Sequence, residues 1–456
     1  MVRCLFAALL CLPCFAAYNV RDFGARGDGR TKDTAAVQKA IDEAAAAGGG
    51  TVVAPAGRYL CGTIHLKSNV TLQIESGATV AASPDDSDFD RYETLAFKSV
   101  SDNETTYFHY ALLAADDVQH IAIVGEGAVD GNRTKRGGPK TIALKRATGV
   151  TIRGITVKNS PNYSISMLGC DDVVIDGVTV LNGYSDGIDP DSSRNVRISN
   201  CSIDSYDDAI CPKASPSLGY ARSTENLTVT NCVLRTNCSN FKFGTESSGG
   251  FKNVAVSNLV MLPRETGRPP ISGIALESVD GAVIEGVVIS NISMRGVRAP
   301  IFLRLGNRGR GLDPKVPGSL RGVSISNVIA TGASVTSSIT GLPGVPVRDV
   351  VLSEIMIRDA GGATSPPPDP DELAEKYPEA TMFGTLPAYG LYVRHADGLT
   401  LRGVQVFAEA PDARPPLALK DVLRWKIDGG NLQAPVTDPP RSRRPRPRSA
   451  GSSTRD

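Results

Sequence analysis

The chain has 456 residues, enough for one large core or two ordinary domains, and it carries 46 glycines, 30 prolines and only 5% aromatic residues. Turn residues at that density exclude a helical bundle and suit a fold with many tight corners. The net charge is +1, but the stretch from Asp438 to the end holds six arginines and two aspartates, which leaves a mildly acidic body without the basic footprint that nucleic acid requires.

Residues 1–17 read as a signal peptide: one early Arg3, the apolar run LFAALLCLPCF, and small residues before Tyr18. The run is too short to span a bilayer, and no later segment is apolar for long enough, so a secreted protein without a transmembrane segment is expected. Export removes Cys4, Cys11 and Cys14. Cys61, Cys170, Cys201, Cys211, Cys232 and Cys238 remain, with no CxxC pair and only four histidines in the chain. That pattern gives no zinc site, and the cysteines read as core fillers or as members of one or two disulfides.

TAAVQKAIDEAAAAGGG, from Thr34, has helical spacing and ends in glycines, which predicts a helix stopped at Gly48. Such a helix can cover the open end of a strand stack. After it, one motif recurs: period-2 apolar strands broken by a single Gly or Asn. It starts at Val70, Ile121, Val150, Val173, Val196, Leu227, Val254, Val287, Val323, Val350 and Leu399. From Val150 the spacings are 23, 23, 31, 27, 33, 36, 27 and 49 residues, too uneven for a helical solenoid but natural for β-coils with loops of different length. Gly154, Gly177, Asn200, Asn231, Asn258, Asn291 and Asn327 mark the break, as residues that tolerate a left-handed backbone. The units cannot bury their apolar side alone, so they stack. The expected architecture is all-β: a single right-handed parallel β-helix over residues 18–432, with a short N-terminal capping helix. Cys201 and Cys232 fall at the same place in successive coils and should stack inside. The tail 433–456, rich in Pro, Arg and Ser, is expected to be disordered.

The densest carboxylate cluster is SDGIDPDSSRNVRISNCSIDSYDDAICPK, Ser185 to Lys213. Asp186 lies 13 residues after Val173, while Asp207 and Asp208 lie 11 and 12 after Val196. Neighbouring coils therefore bring the three acids to one exterior patch, about 4.8 Å apart along the stack. Like charges that close raise at least one pKa, which supplies the protonated acid and ionised base that glycosidic cleavage needs. Hard oxygen ligands also cluster this way around calcium, and aspartate is common in turns.

The opening YNVRDFGARGDGRTKDTAAVQKAIDEAAAAGGGTVVAPAGRY and the segments SDGIDPDS and YDDAICPK resemble the polygalacturonase-type glycoside hydrolases of family 28. The resemblance covers about Tyr18 to Leu432 and is most specific in the middle. It implies an inverting hydrolase of pectic, galacturonate-containing polysaccharide or oligosaccharide that needs no cofactor or metal. By the same resemblance Asp207 is the general acid, Asp186 and Asp208 activate water, and Lys213 holds a substrate carboxylate or hydroxyl. A monomer is expected.

The departures bear on specificity. Tyr184 stands where the family pattern has Asn. Ser239 takes the place of a family histidine, with Asn240 and Lys242 nearby, and Ala275 and Glu277 stand where the family has an Arg and a Lys. Lys242 is level with the acidic coils by the repeat spacing, and IFLRLGNRGR supplies Arg304, Arg308 and Arg310, so these are the substitute candidates for gripping a uronate. YPEATMFGTLPAYGLYVRH, from Tyr377, breaks the repeat with Tyr389, Tyr392, Arg394 and His395, side chains suited to walling a sugar subsite. Two rival readings share the scaffold. A lyase or epimerase would remove a C5 proton with a Lys, Arg or Tyr base, often with calcium; a binding β-helix would do no chemistry.

Overall fold

The computed structural model describes residues 17–433. The leader reading therefore falls outside the described residues except for Ala17, which begins a strand paired with Thr51, and the tail from residue 434 lies outside them as well.

The helix forms where the spacing places it, at Thr34–Ala46. Its apolar face, Val37, Ala40, Ile41 and Ala44, is buried against the first strands, Ala17–Asn19, Gly50–Ala54 and Ile64–His65. Asp33 precedes it without capping it. The Asp33 carboxylate instead accepts N–H bonds from Arg26 (2.7 Å) and Gly27 (3.0 Å), tying the entry loop down.

Every strand-to-strand ladder is parallel, and the motif starts stand directly above one another: Val150, Val173, Val196, Leu227, Val254, Val287, Val323, Val350 and Leu399 are successive ladder partners. This is a parallel β-helix. Alternation along each strand sends Val196, Ile198 and their counterparts inward, so one apolar interior runs from Val20 to Leu432. Burial of that continuous column is the main favourable term.

The predicted corners are left-handed, with φ of 75° at Gly154, 63° at Gly177 and 52–58° at Asn200, Asn231, Asn258, Asn291 and Asn327. The five asparagines also form a ladder, the amides of Asn231, Asn258, Asn291 and Asn327 each donating to the side-chain carbonyl of the one in the preceding coil at 3.0–3.4 Å. Cys201 and Cys232 stack inside with Cys61 and Cys170 as core fillers, and all six cysteines of the described residues are free thiols, Cys211 and Cys238 lying beside the aspartates.

The strands Ile188–Asp191, Ser239–Phe243, Ser272–Ser278, Ala299–Leu305, Ser337–Thr340 and Leu391–Arg402 form the face that carries the departures. Their outward side chains are not solvated. A second apolar cluster, in which Ala275, Phe302 and Tyr392 meet Ala380, Phe383 and Leu386, packs the 366–388 insertion across that face.

Candidate active site

The three aspartates arrive at one corner by a small register shift. The ladder between Thr179–Gly183 and Ser202–Ser205 slips by one residue after Val180. The next bridge therefore pairs Ile188 with Ile210. Asp186 is thereby level with Asp208, and Asp207 with Ser185, whose carbonyl accepts the Asp207 N–H. The Asp208 N–H donates to Asp186 Oδ1 (3.2 Å) and Asp207 Oδ1 (3.1 Å), so one backbone amide lies between two of the carboxylates.

The expected exterior patch is corrected in one respect. Asp186 and Asp208 are only 4% and 3% exposed and form the floor, whereas the Asp207 side chain is 29% exposed and stands at the mouth. Loops cover the floor, which the strand alternation alone does not foretell.

Each floor carboxylate has its own ammonium. Lys213 Nζ donates to Asp186 Oδ2 (2.8 Å) and Asp189 Oδ1 (2.9 Å), and lies 4.9 Å from the centre of the Tyr163 ring. Lys242 Nζ lies 3.1 Å from Asp208 Oδ2, and the Ser239 N–H donates to Asp208 Oδ1 (2.9 Å). The electrostatic result is asymmetric. Burial, aided by Asp189, Asp207 and Asp208, pushes the Asp186 carboxyl well above its usual value in spite of Lys213. Burial likewise lifts Asp189 to about 6. Burial works the same way on Asp208, but Lys242 and Lys213 outweigh it and hold that carboxyl below its usual value. One acid is thus pressed to keep a proton while its neighbour is kept ionised.

The carboxylate oxygens of Asp186 and Asp208 and the Cys211 sulfur lie within 4.8 Å of one another, close enough for one ion. Two ammonium groups already sit against those carboxylates, and a divalent cation there would face both. The residues fit a charge-balanced acid cluster better than a calcium cage.

At the mouth, Arg136 donates from Nη1 to Asp207 Oδ2 (2.6 Å) and is gripped by Glu104 through Nε (3.1 Å) and Nη2. One rim is aromatic: the rings of Tyr184 and Tyr206 stack at 5.1 Å and 27°, and the Arg264 guanidinium lies 3.6 Å over Tyr206. Opposite, Tyr377 brings its hydroxyl 3.5 Å from Lys242 Nζ and 3.3 Å from Thr245 Oγ1.

Of the residues singled out in the sequence, the fold gathers Asp186, Asp207, Asp208, Lys213 and Lys242. Arg308 stands behind Tyr377, buried in a bidentate pair with Asp280 (2.9 and 2.5 Å). Arg304 is 1% exposed and donates to the Glu372 and Leu373 carbonyls (2.7 and 3.2 Å), so it pins the insertion instead of facing a ligand. Arg394 does the same at Pro370 and Asp371. His395 is engaged by Asp421 (2.7 Å) and Glu372 (3.0 Å), and Tyr389 packs against the main interior. In the Arg/Lys places, Ala275 joins the insertion's apolar cluster. Glu277 is buried with one oxygen unpartnered among the described residues, and burial pushes its carboxyl up to about 8. Glu104, Arg136, Asp189 and Tyr206 are contributions that the sequence reading missed. Asp189 and Tyr206 lay within the acidic segment already singled out. Glu104, on a one-turn helix, and Arg136, on a loop, lie outside the repeat and carry no periodic signal.

A parallel β-helix with paired acids at one corner suits chemistry on a carbohydrate, and the family match supplies the class. Residues 48–366 match the model of glycosyl hydrolases family 28; the chain belongs to that family and is a polygalacturonase-like glycoside hydrolase. A probable polygalacturonase of Vitis vinifera is 26% identical over 412 residues, covering 81% of this chain and 83% of that protein. The crystal structure of a hyperthermoactive exopolygalacturonase from Thermotoga maritima superposes with a TM-score of 0.68 at 23% identity, covering 86% of this chain and 92% of that one. Alginate lyase 7 of Azotobacter vinelandii is 37% identical, but over 143 residues that cover 28% of this chain and 16% of that protein.

Proposed function

We propose that the chain is an exported hydrolase of galacturonate-containing, pectic polysaccharides or oligosaccharides, acting as a monomer with Asp207, Asp186 and Asp208 as its catalytic acids. The observation that carries this is the meeting of three carboxylates at one corner, with Asp208 held ionised on the floor and Asp207 open at the mouth beside it. Asp208, held ionised by Lys242 and Lys213, activates the water. Asp207, the most exposed of the three, meets the leaving glycosidic oxygen and protonates it. Asp186 accepts the Asp208 backbone N–H and so fixes it, while Lys242 and Lys213 balance the Asp208 charge. Lys213 and Lys242 act by positioning and neutralising the acids, since both are buried. The leader-like first 17 residues support export.

The family resemblance favours inversion. Water activated by Asp208 while Asp207 protonates the leaving oxygen is a single displacement, which inverts the anomeric centre. Proton NMR of the first-formed anomer decides the stereochemistry. The function itself is tested by reducing-end release across pectic polymers and oligomers, with Asp207→Asn as control. Release by the wild type that vanishes in the variant supports the reading. Release that persists in the variant overturns the assignment of Asp207, and a product with an unsaturated, ultraviolet-absorbing end would indicate a lyase.

A further inference from the structure

The family places its carboxylate-binding cations where this chain has Ala275 and Glu277, and neither replaces them. Ala275 is covered by the insertion, and Glu277 is an acid. The cations closest at hand on the floor are out of reach of solvent. Lys213 is buried between Asp186 and Asp189, Lys242 is buried on Asp208, and Arg308 is buried on Asp280. An anionic sugar approaching this floor meets carboxylates first, so recognition of a uronate requires an exposed cation from elsewhere.

Among the cations that touch the three aspartates, only Arg136 is open, with 49% of its side chain exposed. Its position is prepared. Glu104, on the one-turn helix Asn103–Thr106, grips Nε and Nη2 from behind. That turn is itself fixed by the Asp102 carboxylate, which accepts the Thr105 N–H (2.8 Å), and Ser185 Oγ donates to Glu104 Oε2 (3.3 Å). A guanidinium has five N–H groups. Three are used here, on Nε, Nη1 and Nη2, which leaves one on each terminal nitrogen for a second carboxylate. A clamped guanidinium loses little freedom on binding, and this suits it to planar, two-point recognition of a carboxylate.

We infer that Arg136, clamped by Glu104, is the specificity residue that reads the uronate carboxylate of the sugar beside Asp207, in place of the cation pair missing at Ala275 and Glu277. The inference rests on the pectic reading above. It makes the anion reader a loop residue on the N-terminal side of the groove, adjacent to the candidate acid, so binding the correct sugar and placing its glycosidic oxygen against Asp207 are one event.

The test compares oligogalacturonates with their methyl esters, which keep the sugar and lose the charge. Wild-type enzyme should prefer the acid form. Arg136→Met should lower kcat/KM on the acid form about 10- to 100-fold more than on the ester, the excess falling on KM; Arg136→Lys should recover part of that excess. Glu104→Gln should move in the same direction as Arg136→Met, because it loosens the clamp. An equal fall on both substrates, through kcat, would mean that Arg136 only orients Asp207, and an unchanged acid preference would remove it from recognition. Either result overturns the inference while leaving the hydrolase reading intact. Wild-type enzyme that cleaves neither substrate overturns the pectic reading, and this inference with it.

Discussion

Two corners of the same coils behave in opposite ways. At the Asn200–Asn327 corner the turn is a single left-handed residue in each coil, and its side chain bonds to the one below. At the acid corner the connections differ from coil to coil. Gly183 reaches Ile188 through Tyr184, Ser185, Asp186 and Gly187, whereas Pro263 reaches Ser272 through eight residues, Arg264 to Ile271. The first corner holds the stack in register, and that rigidity frees the second to vary. A one-residue slip after Val180 is then enough to set Asp186 beside Asp208.

The comparison predicts that activity and stability separate by corner. The largest effect belongs to Asp207→Asn, which should lower kcat by about 10²–10⁴ while leaving the denaturation midpoint nearly unchanged, because the Asp207 side chain is partly exposed. Ile289→Ala lies in the ladder between Val256 and Ile325 and is fully buried. It should cost about 2–5 kcal/mol of stability and leave kcat untouched where the protein stays folded. If both measurements moved together in either variant, the corners would not be independent.

How far the sequence could be read follows the same division. Wherever the period is local, at Val150 to Leu399 and at the Asn corners, ladder partners match the motif starts. Counting along that repeat also brought the acids together, though it placed Asp186 one residue off, because a bulge leaves no trace in the apolar pattern. What escaped was the covering of one face. Arg304 and Arg394 occupy outward strand positions, which alternation assigns to solvent, yet the 366–388 insertion buries both and takes their hydrogen bonds on its carbonyls. Arg136 and Glu104 escaped for a different reason: the contacts they make with Asp207 and Ser185 span 71 and 81 residues from segments outside the repeat, where no period exists to count.

A smaller effect tests the regular corner directly. Asn258 sits at φ 56° and makes side-chain bonds to the coils on both sides. Asn258→Ala should cost about 1–2 kcal/mol, from a left-handed alanine and two broken ladder bonds. Asn258→Gly should cost less, since glycine accepts the backbone and loses only the bonds. Equal costs would show that the ladder, and not the left-handed turn, sets the corner.

The least effect, and the most diagnostic of how the polar floor is supported, belongs to Lys140. Its ammonium lies 3.4 Å from the centre of the Phe108 ring and donates to Ser166 Oγ (3.0 Å), one coil before Asp189. Burial pushes it down to about 7 from 10.5, against the pull of Asp189, Glu93 and Asp191. The unfolded chain therefore binds this proton more tightly than the folded one, and the residue's contribution to stability rises as pH climbs from about 7 towards 10.5. Asp189 and Asp191, both lifted to about 6 from 3.8, work in the opposite sense in a lower window, with stability falling as pH rises through it. Lys140→Met removes the upper term alone. At pH 6 the variant should be more stable than the wild type by about 1 kcal/mol, the relief of a buried charge less the lost bond to Ser166, and the difference should change sign between pH 7 and pH 9, because the wild type gains about 1.4 kcal/mol per pH unit above 7. Denaturant midpoints of the two proteins across that range give the difference. A gap that stays constant with pH would mean that Lys140 keeps its charge in the fold, compensated by the ring beneath it and the carboxylates behind the active floor.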